Sequence, residues 1–446
     1  WLRRLLLVIN MKKRILIIGQ CSLHWGRMEF GNIGNYYIVE PMFEELRRVF
    51  PDAQLATTMQ FSQEFCHRFD IITVPLEYYY DFSSEENLEI AKKEYLAVRE
   101  SIPIDSGYIE EVKKADFVID FSGDIWGDNA DFLGKDRFLT GLYKDRIAQA
   151  LKPTVMICGS PGPFNGKKDI EFVKEVFAGF ALVINREHIS TRLLRKSGFA
   201  MSHVKDYACP SFLFKRANLQ EMERCIGKEI NFSSEKLKIG MVLCGWNFER
   251  GPFDLWPRND TEFEPFITVA KNCINKYDAE LYLLSHSNGF DVPPAKFVLK
   301  QGRDFPIVKR LKELMDREGY SEKVKLLDGV YSPAVTKGII SKFDMLISGR
   351  MHAAVAGLSQ SIPTVIIDYG HEPKAHKLRG FAEIAGVEDY IADPNSVEDL
   401  LIKTEKCIEN RQQLHCFLQE RMISVQKNTR DQFDYLREFA DSVEES

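Results

Sequence analysis

Short runs of branched apolar residues recur along the chain, each followed by a segment with helical periodicity, and this alternation limits the fold more than any other feature. The clearest runs in the first half are Ile15 to Ile18, Ile71 to Val74, Phe117 to Phe121, Thr154 to Cys158 and Ala181 to Ile184. After a polar stretch from Asn231 to Lys238 the pattern resumes with Ile239 to Leu243, Leu281 to Leu284, Val324 to Leu327, Met345 to Ser348 and Thr364 to Asp368. Strands alternating with helices imply parallel sheets with crossover connections. The spacing therefore predicts two doubly wound, Rossmann-like α/β domains facing a cleft, over residues 11–232 and 236–396. Residues 397–446 read as a charged helical extension, with Ile402, Ile408, Leu418, Met422, Phe433 and Leu436 as its buried positions.

Composition narrows the functional classes. The chain has 446 residues, is 45% hydrophobic and 28% charged, and carries a formal net charge of −6, which suits a folded protein and argues against a general nucleic-acid binder. Nine cysteines are scattered without a two-residue spacing, so reduced thiols and a cytoplasmic setting are expected, with no zinc or redox motif. The first ten residues are too few to span a bilayer and lack a signal-peptide cleavage site. Met11-Lys12-Lys13-Arg14 looks like a natural start, which would make residues 1–10 an upstream extension.

In open α/β sheets ligands collect beyond the carboxyl ends of the strands, so motifs at those ends carry the most weight. Asp344 to Leu358 reads as strand, turn and small-residue helix, and it sets Ser348, Gly349, Arg350 and His352 at the turn. Unpaired amides at a helix start favour an anion, Arg350 adds a two-pronged grip, and His352 titrates near neutrality. The plainer alternative is a structural ion pair for Arg350 and a packing or capping role for His352.

Pro373-Lys374 follows the next apolar run, and a neighbouring parallel strand would bring Lys374 near Arg350. His371 and His376 are five apart rather than four, so no metal is assigned, and no cofactor. Gly31-Asn32-Ile33-Gly34-Asn35 precedes an amphipathic helix running to about Phe50, and its glycines permit close approach of backbone to a ligand. Asp124 and Asp128, after another run, are the carboxylates best placed to take a proton from a hydroxyl, against ordinary loop or capping roles.

Taken together, these stretches resemble the polysaccharide pyruvyl transferase family from about Arg14 to Val387. Ser348-Gly349-Arg350-Met351-His352, Ile362-Pro363 with Tyr369, and Pro373-Lys374 carry the resemblance most strongly. Gly31 to Asn35, Ser122-Gly123-Asp124, Gly162-Pro163-Phe164 and Arg186-Glu187 with Ser190 support it. The resemblance implies a fold similar to the GT-B glycosyltransferases, phosphoenolpyruvate as donor and a sugar as acceptor, joined as a cyclic ketal. It assigns Ser348, Gly349, Arg350 and Lys374 to the donor and His352 to catalysis; Gly31, Asn32, Gly34, Asn35 and Arg186 fall to the acceptor. His352, Asp124 and Asp128 remain alternatives as the base. Asn35, where the family commonly has Asp, and Gly159-Ser160-Pro161, in place of a more usual run, depart on the acceptor side. A lipid-linked acceptor would bring the protein to the inner face of the cell membrane as a peripheral partner.

Two other functions fit the same pattern. A glycosyltransferase using a nucleotide sugar would call on Trp246, Trp256 and Glu383 for the nucleoside. A non-catalytic sugar- or anion-binding protein would account for the altered glycine loop.

Overall fold

The computed structural model describes residues 12–20, 24–164, 169–226, 232, 235–249, 257–292, 295–369 and 375–444. The chain divides into two compact units, the first comprising 1–28, 42–209 and 430–446, and the second 29–41 and 210–429.

The first unit is built on a seven-stranded parallel sheet of β1 (Arg14–Ile18), β2 (Gln54–Thr57), β3 (Ile71–Thr73), β4 (Phe117–Asp120), β5 (Thr154–Gly159), β6 (Leu182–Asn185) and β7 (Val204–Asp206), ordered β3-β2-β1-β4-β5-β6-β7. The central strands are wholly apolar or nearly so because both faces are covered, and Leu16, Ile18, Val118, Tyr79, Tyr108, Val112 and Ile147 share one core.

The second unit holds β8 (Lys238–Val242), β9 (Glu280–Leu284), β12 (Val324–Leu327), β13 (Met345–Ser348), β14 (Thr364–Ile367) and β15 (Ile391–Ala392), paired in parallel in the order β12-β9-β8-β13-β14-β15. An antiparallel hairpin, β10 (Asn288–Asp291) with β11 (Val298–Gln301), leaves the sheet after β9. Val242, Tyr282, Leu284, Leu327, Leu346 and Ala353 form the core together with Ile33 and Tyr37, which come from far upstream in the sequence. Burying aliphatic side chains of this size stabilises by roughly 1.5–3 kcal/mol each.

Each sheet thus reverses its strand order once, between β1 and β4 and between β8 and β13, and those switch points are where a doubly wound sheet opens a crevice. The ten expected runs are all strands; β2, β7, β10, β11 and β15 were not foreseen.

The unit boundaries differ from the predicted ones in one way that matters. The helix Ile33–Val49 contains Pro41, and its residues up to Pro41 group with the second unit while the remainder groups with the first. Tyr37 explains the grouping: its ring stacks on Phe214 at 4.4 Å and its hydroxyl donates to the carbonyl of Pro333 at 3.2 Å. Residues 210–226, expected in the first domain, also belong to the second unit.

The C-terminal extension forms two helices, Val397–Glu409 and Arg411–Glu444, and the second passes from one unit to the other at Arg430. Ile408, Leu418, Met422, Phe433 and Leu436 are buried as expected, but Ile402 is 54% exposed because it stands on the outward side of its helix. No helix of the described residues is long and apolar enough to cross a membrane.

Candidate functional site

The turn after β13 is fixed by two neighbours. The Gly349 N–H donates to Val242 O at 2.7 Å, and a β-carbon on Gly349 would have no room beside the Asn247 amide. Asn247 accepts from the Cys244 N–H at 2.8 Å and donates to Gly349 O at 3.3 Å, and the Cys244 thiol donates to the same carbonyl at 3.0 Å. Burial pushes that thiol up to about 11, so it stays protonated and keeps its donor role. Ser348 closes the turn, with its hydroxyl donating to Arg350 O at 2.8 Å and accepting from Arg350 N at 3.3 Å.

Arg350 is the extended residue that precedes the helix Met351–Leu358. Its Nε donates to Asp304 Oδ2 at 2.9 Å and its Nη2 to Asp304 Oδ1, a two-pronged ion pair in which the Asp304 side chain is fully buried and the Arg350 side chain 11% exposed. Burial alone would lower the guanidinium's pKa, but the Asp304 charge and hydrogen bonds carry it above its ordinary value. Asp304 is itself oriented by Ser287, whose hydroxyl accepts from its N–H at 3.0 Å. The structural ion pair weighed for Arg350 is therefore present.

His352 sits in the first turn of the same helix, against the backbone of Gly34, where an added β-carbon would stand 2.6 Å from Nδ1. The Phe381 ring stands nearly perpendicular to the imidazole, with ring centroids 6.0 Å apart. A second histidine lies deeper. His286 follows β9, is fully buried, and neither ring nitrogen has a hydrogen-bond partner among the described residues. Burial, then the Arg350 charge, lower it to about 3, so it is neutral, and its ring meets Tyr37 edge to face at 5.3 Å.

In the first unit the switch point between β1 and β4 is lined by buried polar groups. Ser122 donates to Asp120 Oδ1 at 2.5 Å and accepts from Gln20 N at 3.1 Å, while Trp126 Nε1 donates to Asp145 Oδ2 at 3.0 Å. Asp120 and Asp145 are both fully buried; burial raises Asp120 to about 6, and burial and the Asp120 charge raise Asp145 well above its ordinary value. The charge of one carboxylate thus disfavours ionisation of the other. Beyond this pair, Asp124 is partly exposed at 3.9 Å from the buried Arg186, whose Nε donates to Ser160 at 3.0 Å. Asp128 opens a 3-10 turn, with its N–H bonded to Pro163 O at 3.1 Å.

A family model described as polysaccharide pyruvyl transferase matches residues 32–371, which include Gly34, Arg186, Asp304, Arg350 and His352. The chain belongs to the polysaccharide pyruvyl transferase family. It is similar to the amylovoran biosynthesis protein AmsJ of Erwinia amylovora, with 21% identity over 310 residues, 69% of each chain. Among solved structures, a glycosyltransferase from Rickettsia africae superposes with a TM-score of 0.58 at 11% identity, covering 96% of this chain and 99% of that one. HepE of Anabaena, solved with UDP, gives 0.57 at 12% identity, covering 98% and 100%. At such identities the likeness establishes the fold, the two-sheet α/β architecture of glycosyltransferases.

Within this pyruvyl transferase, Ser348, Gly349, Arg350 and His352 stand together in the second unit. So do Gly31, Asn32, Gly34 and Asn35, which had been placed in the first domain: Asn32 pairs with Ser287, and Gly34 underlies His352. Asp124, Asp128 and Arg186 belong to the first unit. Lys374, with Pro373 and His371, lies outside the described residues, as does Trp256. Trp246 is 7% exposed and packs on Tyr369, and Glu383 lies within the helix Ala375–Ala385. Among the described residues no group of three or more His, Cys, Asp or Glu is placed to hold a metal.

Asp304, His286 and Asn247 were missed by the sequence reading. Only His286 carried a usable signal, since Ser285-His286-Ser287 directly follows an apolar strand.

Proposed function

We propose that the protein transfers the pyruvyl group of phosphoenolpyruvate onto two hydroxyls of a sugar in a cell-surface polysaccharide or its precursor, forming a cyclic ketal and releasing phosphate. The observation that carries this reading is the placement of an imidazole, His352, two residues on from a permanent cation, Arg350, inside the segment that matches the family. The relative named for amylovoran biosynthesis supports a polysaccharide product.

Phosphoenolpyruvate presents a phosphate and a carboxylate, and Arg350, Lys374 and the amides opening the helix Met351–Leu358 are suited to hold them. Two guanidinium nitrogens of Arg350 are committed to Asp304, so the donor meets the Nη1 side of the group. Protonated His352 delivers its proton to the methylene carbon. A sugar hydroxyl then bonds to the central carbon and passes its proton to a base, for which His352 after donation, Asp124 and Asp128 are the candidates. The second hydroxyl displaces phosphate at the same carbon, and its proton leaves with the departing phosphate. Phosphoenolpyruvate places the reaction in the cytoplasm, and a lipid-linked sugar would bring it to the inner face of the membrane.

The test is thermal stabilisation by phosphoenolpyruvate against a panel of nucleotide sugars, since a ligand of the native state raises Tm. Phosphoenolpyruvate should stabilise, and stabilisation by a nucleotide sugar alone overturns the reading. His352→Ala should abolish ketal formation with an unchanged Tm, while full activity in that variant removes the histidine from the chemistry.

A further inference from the structure

The helix Met351–Leu358 has a second polar feature at its far end. Its eight residues span roughly 12 Å at 1.5 Å per residue, so Ser359 and Gln360 lie well away from Arg350. There a cavity of about 240 Å³ is lined by Phe214, Arg216, Lys337, Ser359, Gln360 and Gln426. None of these residues carries a carboxylate, and Lys337 and Arg216 are the only charged or titratable side chains among them.

Lys337 is 2% exposed and comes from the helix Pro333–Ile340. Its amine donates to Phe214 O at 2.6 Å and lies over the Phe214 ring at 5.8 Å from the centroid. An ammonium has three donors, and a buried one without a carboxylate is costly. Arg216 is exposed, and its Nη1 reaches Gln360 Oε1 at 3.5 Å. The Gln360 amide is turned away onto the carbonyls of Lys337 and Ala356, and that of Gln426 onto Phe212 O, so the two cations are the main donors left to a guest.

We propose that this cavity binds a small phosphate-type oxyanion, free or borne by a metabolite, with Lys337 at its floor and Arg216 at its rim, as a site separate from the centre around Arg350. Burial, then the Arg216 charge, lower the Lys337 amine to about 7 in the empty site. A bound dianion reverses that shift, so binding takes up a proton and weakens as pH rises from 7 to 9.

The experiment measures the Tm of the full chain against inorganic phosphate in the millimolar range, for the native sequence and for Lys337→Met, Arg216→Gln and Arg350→Ala. Phosphate should stabilise the native protein and Arg350→Ala alike, should lose its effect in Lys337→Met, and should need at least tenfold more anion in Arg216→Gln. If Lys337→Met fails to fold, the exposed Arg216→Gln decides alone. Absence of any effect on the native protein, an undiminished effect in Lys337→Met or Arg216→Gln, or loss confined to Arg350→Ala overturns the proposal.

Discussion

Gly34 lies against the imidazole of His352 so closely that a β-carbon would come within 2.6 Å of Nδ1. The contact joins residues more than three hundred positions apart and leaves no space for a side chain at Gly34 beside the ring as it stands. Gly34→Ala should therefore displace His352. Because alanine favours a helix over glycine by about 1 kcal/mol, the clash and the propensity gain oppose each other in stability. The expected outcome is a fall in kcat of at least tenfold with a Tm change of a few degrees, checked by parallel kinetics and melting; native turnover would mean the ring position is not critical.

Asp304 and Arg350 form a buried pair whose members depend on each other. Removing the carboxylate strands a guanidinium in a poorly hydrated place, which costs about 3–5 kcal/mol where such pairs have been broken. Asp304→Ala should lower the unfolding free energy in urea by that order, and Arg350→Ala should restore part of the loss when combined with it. Strict additivity of the two changes would show that the pair is not coupled.

The raised carboxyls of Asp120 and Asp145 give a signed pH dependence. Their folded-state pKa values are raised above the unfolded ones, so the native state binds more protons than the unfolded chain. That contribution is fully present below about pH 4 and is lost as pH rises through 6 and beyond. Asp145→Asn keeps a hydrogen-bond donor while removing the titration. Urea midpoints of variant and native protein, measured between pH 5 and pH 8, should diverge in favour of the variant as pH rises; a constant difference would contradict the raised pKa of Asp145.

Lys337 acts with the opposite slope. Its folded pKa is lowered to about 7, so the unfolded chain binds the extra proton and native stability falls as pH drops from about 10 toward 7. In phosphate-free buffer, the stability of Lys337→Met relative to the native protein should rise over that window, by on the order of a few kcal/mol, and level off below it. Denaturation at pH 9.5 and pH 7 checks the sign.

The elements legible in the sequence were those whose burial leaves no room for polar residues. β4, β5, β8 and β13 are buried along nearly their whole length, and each appeared as an apolar run. β7 at a sheet edge and the half-exposed β11 carry lysines because one side meets water, and β15 has two residues, too few for any period. The turn bearing Arg350 and His352 was legible because sheet, turn and helix start are contiguous. What surrounds it was not: Asp304 reaches the turn only through tertiary packing from an ordinary helix start, and the glycines of 31–35, though distinctive, do not show that Gly34 meets His352. The same limit explains Tyr37, whose stacking on Phe214 assigns the segment 29–41 to the second unit although sequence order suggests the first.

That assignment bears on how the protein can be cut. A fragment starting at Pro210 retains the second sheet, the Arg350–Asp304 pair and the helix of His352, yet leaves behind Ile33, Gly34 and Tyr37. Such a fragment would expose the core that Ile33 and Tyr37 fill, and its histidine would have lost the surface it rests on. A peptide of residues 29–41 is the piece whose addition in trans should restore it, and a circular permutant that joins those residues to Pro210 would carry the Arg350–His352 turn and the segment packed against it on one continuous half, leaving Asp124, Asp128 and Arg186 on the other.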